Sequence, residues 1–295
     1  MNVMITGATG LLGREVFRAF QKKEWNLTGT SFRRKAPGLM RVDLSQPDTI
    51  QDFLNSHLPA VIVHTAAERH PDVSLKDPAG TRRLNVEATA AIASWAASHG
   101  TFVLYLSTDY VFDGTQPPYR PTDKPNPLND YGQSKLDGEQ ELLSHAQKSS
   151  VILRVPILYG PCETLSESAV TVLADQMRRL TEPTLTVEDW ATRYPTYTPD
   201  VAYTILQLVE YRLSHPDFHG IVHWSGDEAL TKYGMARIIA EQIGFPVERL
   251  VPNPAPPSGA TRPKNSHLDC SVLEQLHIGR RTPFTEAIRT VLNPA

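Results

Sequence analysis

Cysteine is scarce: Cys162 and Cys270 are the only 2 in 295 residues, they stand far apart, and neither sits in a CxxC pair. That excludes a disulfide framework or a zinc knuckle as the organising device and makes a reducing compartment the simpler expectation. An excess of one charge is also missing, since 29 Lys and Arg against 32 Asp and Glu leave a formal charge of −3 with no basic block. Nucleic acid is therefore not an expected partner, because such binding needs cations to neutralise phosphates. Long hydrophobic runs are absent too; no apolar stretch approaches the ~18 residues of a membrane span. The opening MNVMITGATG enters a short apolar run without a basic region or a cleavage pattern, so a cytoplasmic location is expected.

The composition that remains, 40% hydrophobic and 21% charged, suits a globular chain of one large domain or two modest ones. In the first half, short apolar runs at 3–6, 27–32, 39–42, 60–64, 102–107 and 151–154 alternate with amphipathic stretches at 11–23, 49–56, 79–98 and 131–148. This rhythm predicts an α/β fold, a Rossmann-type doubly wound parallel sheet, and runs such as Ala60-Val61-Ile62-Val63 suit strands covered on both faces. Beyond Arg154 the pattern thins to helices at 167–180, 200–213 and 231–243, with a strand at 221–224. Prolines cluster at 117–127 and 252–263 and read as ordered loops bordering a cleft, or else as disordered linkers.

Thr6-Gly7-Ala8-Thr9-Gly10-Leu11-Leu12-Gly13 follows the first strand and opens the first helix. Glycines there let a backbone approach a pyrophosphate, whose charge meets the free N–H groups of a helix N-terminus; the other reading is a tight turn alone. The second strand ends in Phe32-Arg33-Arg34-Lys35, where an NAD site would place an acidic side chain. Guanidinium groups suit a 2′-phosphate, so Arg33 and Arg34 favour NADP(H), unless they are solvated surface residues. Asp43 and Leu44 would suit the adenine edge, although an aspartate at a strand end is as often a helix cap.

Tyr131 and Lys135 are four residues apart and share a helix face. A lysine ammonium beside a phenol lowers its pKa from ~10 toward a useful range. Thr108, in Ser107-Thr108-Asp109-Tyr110, falls at the C-terminal end of the fifth strand, where parallel sheets bind ligands and a hydroxyl can reach a carbonyl oxygen. His215, His219 and His223 have helical spacing, but Pro216 and Gly220 break any such helix, so no metal site is expected. Cys162 reads as a small packing residue.

With these motifs, Asp109-Tyr110-Val111-Phe112-Asp113-Gly114, residues 127–129 and Lys135-Leu136-Asp137-Gly138-Glu139, the chain resembles an extended short-chain dehydrogenase/reductase of the dTDP-4-dehydrorhamnose reductase family nearly end to end. Other segments look more like one branch of it, the regulatory β subunit of methionine adenosyltransferase: Ala66-Ala67-Glu68-Arg69, Pro156-Ile157-Leu158-Tyr159-Gly160, Glu167-Ser168-Ala169-Val170-Thr171-Val172, His223-Trp224-Ser225-Gly226 and Arg281-Thr282-Pro283-Phe284.

The resemblance implies Tyr131 as proton donor, Lys135 as its activator, Thr108 as the hydroxyl partner and Asn85 as the helix asparagine that positions the lysine. Thr65, Ala66, Arg69 and Ile157 join Gly7, Ala8, Thr9, Gly10, Leu11 and Gly13 on the cofactor, while Asp109, Tyr110, Arg193, Thr196 and Arg262 face a nucleotide-sugar substrate. The implied division is a cofactor domain at 1–160, rejoined by 197–213, and a mainly substrate-binding lobe at 161–295. The activity implied first is NADPH-dependent reduction of a nucleotide-linked 4-keto deoxysugar. The alternative is an NADP-binding regulatory subunit partnered with a methionine adenosyltransferase catalytic subunit. A homodimer is also open. Two departures bear on this: the branch docks through a C-terminal tail, whereas this sequence stops at Ala295, and 189–196 keeps only the final Pro-Thr of the sugar reductases' pocket segment.

Overall fold

The computed structural model describes residues 1–32, 34 and 36–293. Its centre is a parallel sheet of β1 (Asn2–Thr6), β2 (Asn26–Ser31), β3 (Leu39–Arg41), β4 (Val61–His64), β5 (Phe102–Thr108), β6 (Ser150–Val155) and β7 (Gly220–His223), in the order β7-β6-β5-β4-β1-β2-β3. The chain runs outward from β1 to β3 and returns at β4 on the other side of β1. A crevice therefore opens beyond the C-terminal ends of β1 and β4, the switch point at which such sheets bind ligands.

Alternation along each strand divides the core in two. Val3, Ile5, Val61, Val63, Leu104 and Leu153 face one layer, formed largely by α1 (Leu11–Phe20) and a later helix, Thr198–Ser214. Met4, Ile62, Val103, Tyr105 and Ile152 face the other, with α2 (Pro47–His57), α5 (Ala88–His99) and α6 (Asp130–Ala146). Two short helices, α3 (Pro71–Lys76) and α4 (Pro78–Arg82), precede α5. A third core joins α7 (Val172–Arg178), the strand Leu185–Glu188, the helix Lys232–Ile243 and the helix Phe284–Leu292 through Leu173, Met177, Val187, Ile239 and Ile288.

Most element ends shift by one or two residues from expectation, and three departures are larger. Helix α1 ends at Phe20, its last buried apolar residue, and not at 23. The single helix expected over 79–98 is interrupted by a π-helical turn, Arg83–Glu87, that carries Asn85. The helix expected from 167 begins at Val172 because the hydroxyls of Ser168 and Thr171 bond Leu158 and Leu165 carbonyls and hold the chain in a different path. The proline segments are ordered, but 117–127 packs against 267–269 through Tyr119 and does not border the cleft, whereas Arg262 and Pro263 do. His223 is buried in β7, while His215 and His219 are exposed before it. No helix among the described residues is long and apolar enough to cross a membrane.

Candidate functional site

The crevice is a cleft of about 860 Å³ lined from both halves of the chain. Its first wall is the turn from β1 into α1. Gly7 has φ +68, and a Cβ there would lie 2.9 Å from Ala66 Cα; a Cβ on Gly13 would fall 2.1 Å from the Gly7 carbonyl oxygen. Only glycine lets α1 seat this close, and it leaves the helix N-terminus, capped by Gly10, facing the cleft with Thr9 and Leu11. Ala8 departs from expectation: it is buried, does not line the cleft, and its N–H donates to the Thr30 carbonyl.

Phe32, Arg34, Asp43 and Leu44 gather along the cleft at the ends of β2 and β3. Arg33 lies outside the described residues. Asp43 accepts from the amide and hydroxyl of Ser45, a local turn. Arg34 donates to the Thr9 carbonyl at 2.9 Å and pairs with Glu167 at 2.5 Å. Past β4, the Thr65 hydroxyl donates to the Thr6 carbonyl, and Ala66 N–H donates to the Thr6 hydroxyl, which presents Ala66 and Arg69 to the cleft. Burial lowers the Arg69 pKa. Ile157, after β6, lines the same space.

The floor is made by β5 and α6. Asn129 caps α6 through the Gly132 N–H, setting Tyr131 in the first turn and Lys135 one turn on. Thr108 closes β5, donating to Asp109 and accepting from the Tyr110 N–H. Thr108, Asp109, Tyr110, Tyr131 and Lys135 all meet at the cleft. Lys135 is 3% exposed with its Nζ 4.0 Å over the Tyr105 ring. Burial pushes its pKa down to about 7, against the opposing pull of Glu139. Burial likewise raises the Tyr131 phenol, with the Thr108 hydroxyl pulling back. Desolvation, the largest influence on Tyr131, runs against the lowering expected from a neighbouring lysine. Desolvation also pushes Asp109 up to about 6, opposed by the Ser266 and Thr108 hydroxyls.

Asn85 does not face the cleft. Its amide is directed to both backbone groups of Glu68 and to the Ser134 hydroxyl, tying α6 to the loop after β4. Thr196 is also off the cleft, buried, with its hydroxyl donating to Tyr194 and accepting from Gly226 N–H. Arg193 and Arg262 do line it, but Arg193 pairs with Glu188 at 2.8 Å and Arg262 with Asp72 at 2.5 Å. Nothing in the sequence marks these carboxylates, or Glu167, Lys232 and Ser266, as neighbours of the cleft. Asp72, Glu167 and Ser266 have their partners on distant segments, so no local pattern reveals them.

A family model described as RmlD substrate binding domain matches residues 1–295. The chain belongs to that family. It has the family's extended short-chain dehydrogenase/reductase fold, as the resemblance implied. Methionine adenosyltransferase 2 subunit beta of Mus musculus is 46% identical over 293 residues, covering 99% of this chain and 87% of that one. The crystal structure of a dTDP-4-dehydrorhamnose reductase from Clostridium acetobutylicum superposes with TM-score 0.87 at 26% identity, covering 99% of this chain and 98% of the other. The Bacillus anthracis dTDP-4-dehydrorhamnose reductase in complex with NADP shares the fold with TM-score 0.84 at 24% identity, over 99% and 97%.

Proposed function

We propose that the chain is an NADP(H)-binding β-type subunit that associates with a methionine adenosyltransferase and modulates it. The observation that carries this reading is the 46% identity over 99% of the chain to a β subunit, against 26% to the reductase structure. It reverses the order of the two functions that the motifs alone implied. The state of the cations agrees with it. Arg193 and Arg262, the two arginines expected to meet a nucleotide diphosphate, are each neutralised by a carboxylate of this chain.

The turn at Gly7, Gly10 and Gly13, where missing Cβ atoms let α1 seat against the Gly7 carbonyl with its N-terminus on the cleft, fits a dinucleotide. The N–H groups at the start of α1 would hold the pyrophosphate, Arg33 and Arg34 the 2′-phosphate, Asp43 and Leu44 the adenine edge, and Ala66, Arg69 and Ile157 the remaining length. In this reading residues 1–160, with 197–213, carry the cofactor, and most of 161–295 forms the opposite wall. Size-exclusion chromatography of the chain mixed with a methionine adenosyltransferase catalytic subunit, each at micromolar concentration, should show a complex; two separate peaks would refute the association.

A second reading is favoured by the meeting of Thr108, Tyr131 and Lys135: reduction of a nucleotide-linked 4-keto deoxysugar. NADPH, when bound, supplies a hydride for a carbonyl carbon. Tyr131, holding its proton, would give it to the developing alkoxide oxygen while Thr108 donates a hydrogen bond to the same atom, and Lys135 would orient the ribose. Asp109 and Tyr110 would border the sugar. NADPH consumption with a panel of nucleotide-linked 4-keto sugars, lost in Tyr131→Phe, supports this second reading; no consumption with any of them removes it.

A further inference from the structure

One of the two arginines expected to read a 2′-phosphate is already engaged. Arg34 Nη1 lies 2.5 Å from Glu167 Oε1 and 3.5 Å from Glu163 Oε2, and donates to the Thr9 carbonyl in the glycine turn. The other Glu167 oxygen is held by Arg14 at 2.5 Å and accepts the Glu163 N–H. Glu167 is 5% exposed and Arg34 is 46% exposed on its side chain, so a ligand in the cleft reaches the guanidinium while the carboxylate is fixed behind it. Burial pushes the Glu167 carboxyl up, but the Arg14 hydrogen bond and the charges of Arg14 and Arg34 outweigh this and keep it below the usual range, hence ionised.

We infer that Glu167 and the 2′-phosphate of NADP(H) compete for Arg34, which makes Glu167 a determinant of cofactor preference and links the 2′-phosphate to the segment 161–172. This rests on the reading of the cleft as a dinucleotide site. A phosphate dianion approaching Arg34 meets a carboxylate of like sign on the same guanidinium, and the two acceptors share one set of donors. Glu167 is able to yield, because Arg14 continues to hold it. A ribose 2′-hydroxyl, being neutral, has no means to displace a carboxylate from an arginine, so NAD(H) leaves the pair closed. Glu167 ends the turn Leu165–Glu167, and Ser166, Ser168, Ala169 and Val172 around it line the cleft. Release of Arg34 is thus felt by the wall opposite the glycine turn.

The test is calorimetric titration of the full chain with NADPH and with NADH, for the parent, Glu167→Gln and Arg34→Gln. Glu167→Gln should tighten NADPH by about tenfold and leave NADH within about twofold, the scale of one charge-assisted hydrogen bond. Arg34→Gln should weaken NADPH by about tenfold and leave NADH within about twofold, Arg33 keeping the remaining preference. An unchanged or lowered NADPH-to-NADH preference in Glu167→Gln overturns the competition, as does an NADPH affinity that Arg34→Gln leaves unchanged. Hydrogen exchange on the parent protein supplies a readout free of any variant: NADPH should alter protection across 161–172 and NADH should not, and equal effects of the two overturn the link. A parent chain that binds neither dinucleotide instead refutes the cofactor reading itself.

Discussion

Lys135 and Asp109 are both held against their ordinary ionisation by burial, and they give the protein two opposite pH slopes. Lys135 titrates at about 7 in the fold against 10.5 in an unfolded chain. Between those values the unfolded chain binds a proton that the fold does not, so this contribution is present above pH 10.5 and is lost as pH falls toward 7. Lys135→Met should therefore stabilise the protein at pH 7, by up to ~1.4 kcal/mol per pH unit of that window, with the gain fading toward pH 10. Urea unfolding at pH 7 and pH 9.5 checks it, and a gain independent of pH would contradict it. Asp109 runs the other way, at about 6 in the fold against 3.8. Its contribution is complete below pH 3.8 and lost as pH rises through 6, so Asp109→Asn should be more stabilising relative to the parent at pH 7 than at pH 4. Such buried charges cost stability and suit a site kept for binding or chemistry, as the Tyr131, Lys135 and Thr108 motif indicated in the sequence. Their environment was not legible there, because the Tyr105 ring beneath Lys135 and the Ser266 hydroxyl on Asp109 come from other elements.

At the scale of elements, glycine spacing was the most legible signal, and each glycine carries its own consequence. Gly13→Ala should cost about 1–3 kcal/mol and weaken dinucleotide binding, because its Cβ would overlap the Gly7 carbonyl and push α1 off the turn. Gly234, in the helix Lys232–Ile243, has only ordinary contacts at 3.5 Å around a Cβ position. Gly234→Ala should thus gain about 0.5–1 kcal/mol. Thermal unfolding of the two variants separates the cases by sign. The central strands β1, β4, β5 and β6 were readable because short apolar runs alternating with amphipathic stretches suit strands covered on both faces. The π-helical turn at Arg83–Glu87 was not, since its cause is tertiary: Asn85 is drawn to Glu68 and Ser134. The hydroxyl bonds that delay α7 are local, but they compete with a helical apolar pattern that reads continuously from 167.

Across the whole molecule, the two halves are joined by ion pairs that span the cleft. Arg14 and Arg34 reach Glu167, and Arg262 reaches Asp72, 190 positions away. The sequence displayed Arg34 and Arg262 and suggested ligands for them, with no sign of Arg14; it had no means of displaying carboxylates so distant along the chain. These links also make the cleft the natural place for a cofactor to stiffen the protein. A ligand bound only by the fold stabilises it by ~2.7 kcal/mol at a hundredfold excess over its Kd. The proposed subunit role is tested most directly by the rate of a methionine adenosyltransferase catalytic subunit titrated with this chain in the presence of NADPH. A saturable change in that rate is expected, retained by Tyr131→Phe because the phenol's proton has no part in it. A rate that stays flat up to micromolar concentrations of the chain would contradict the account.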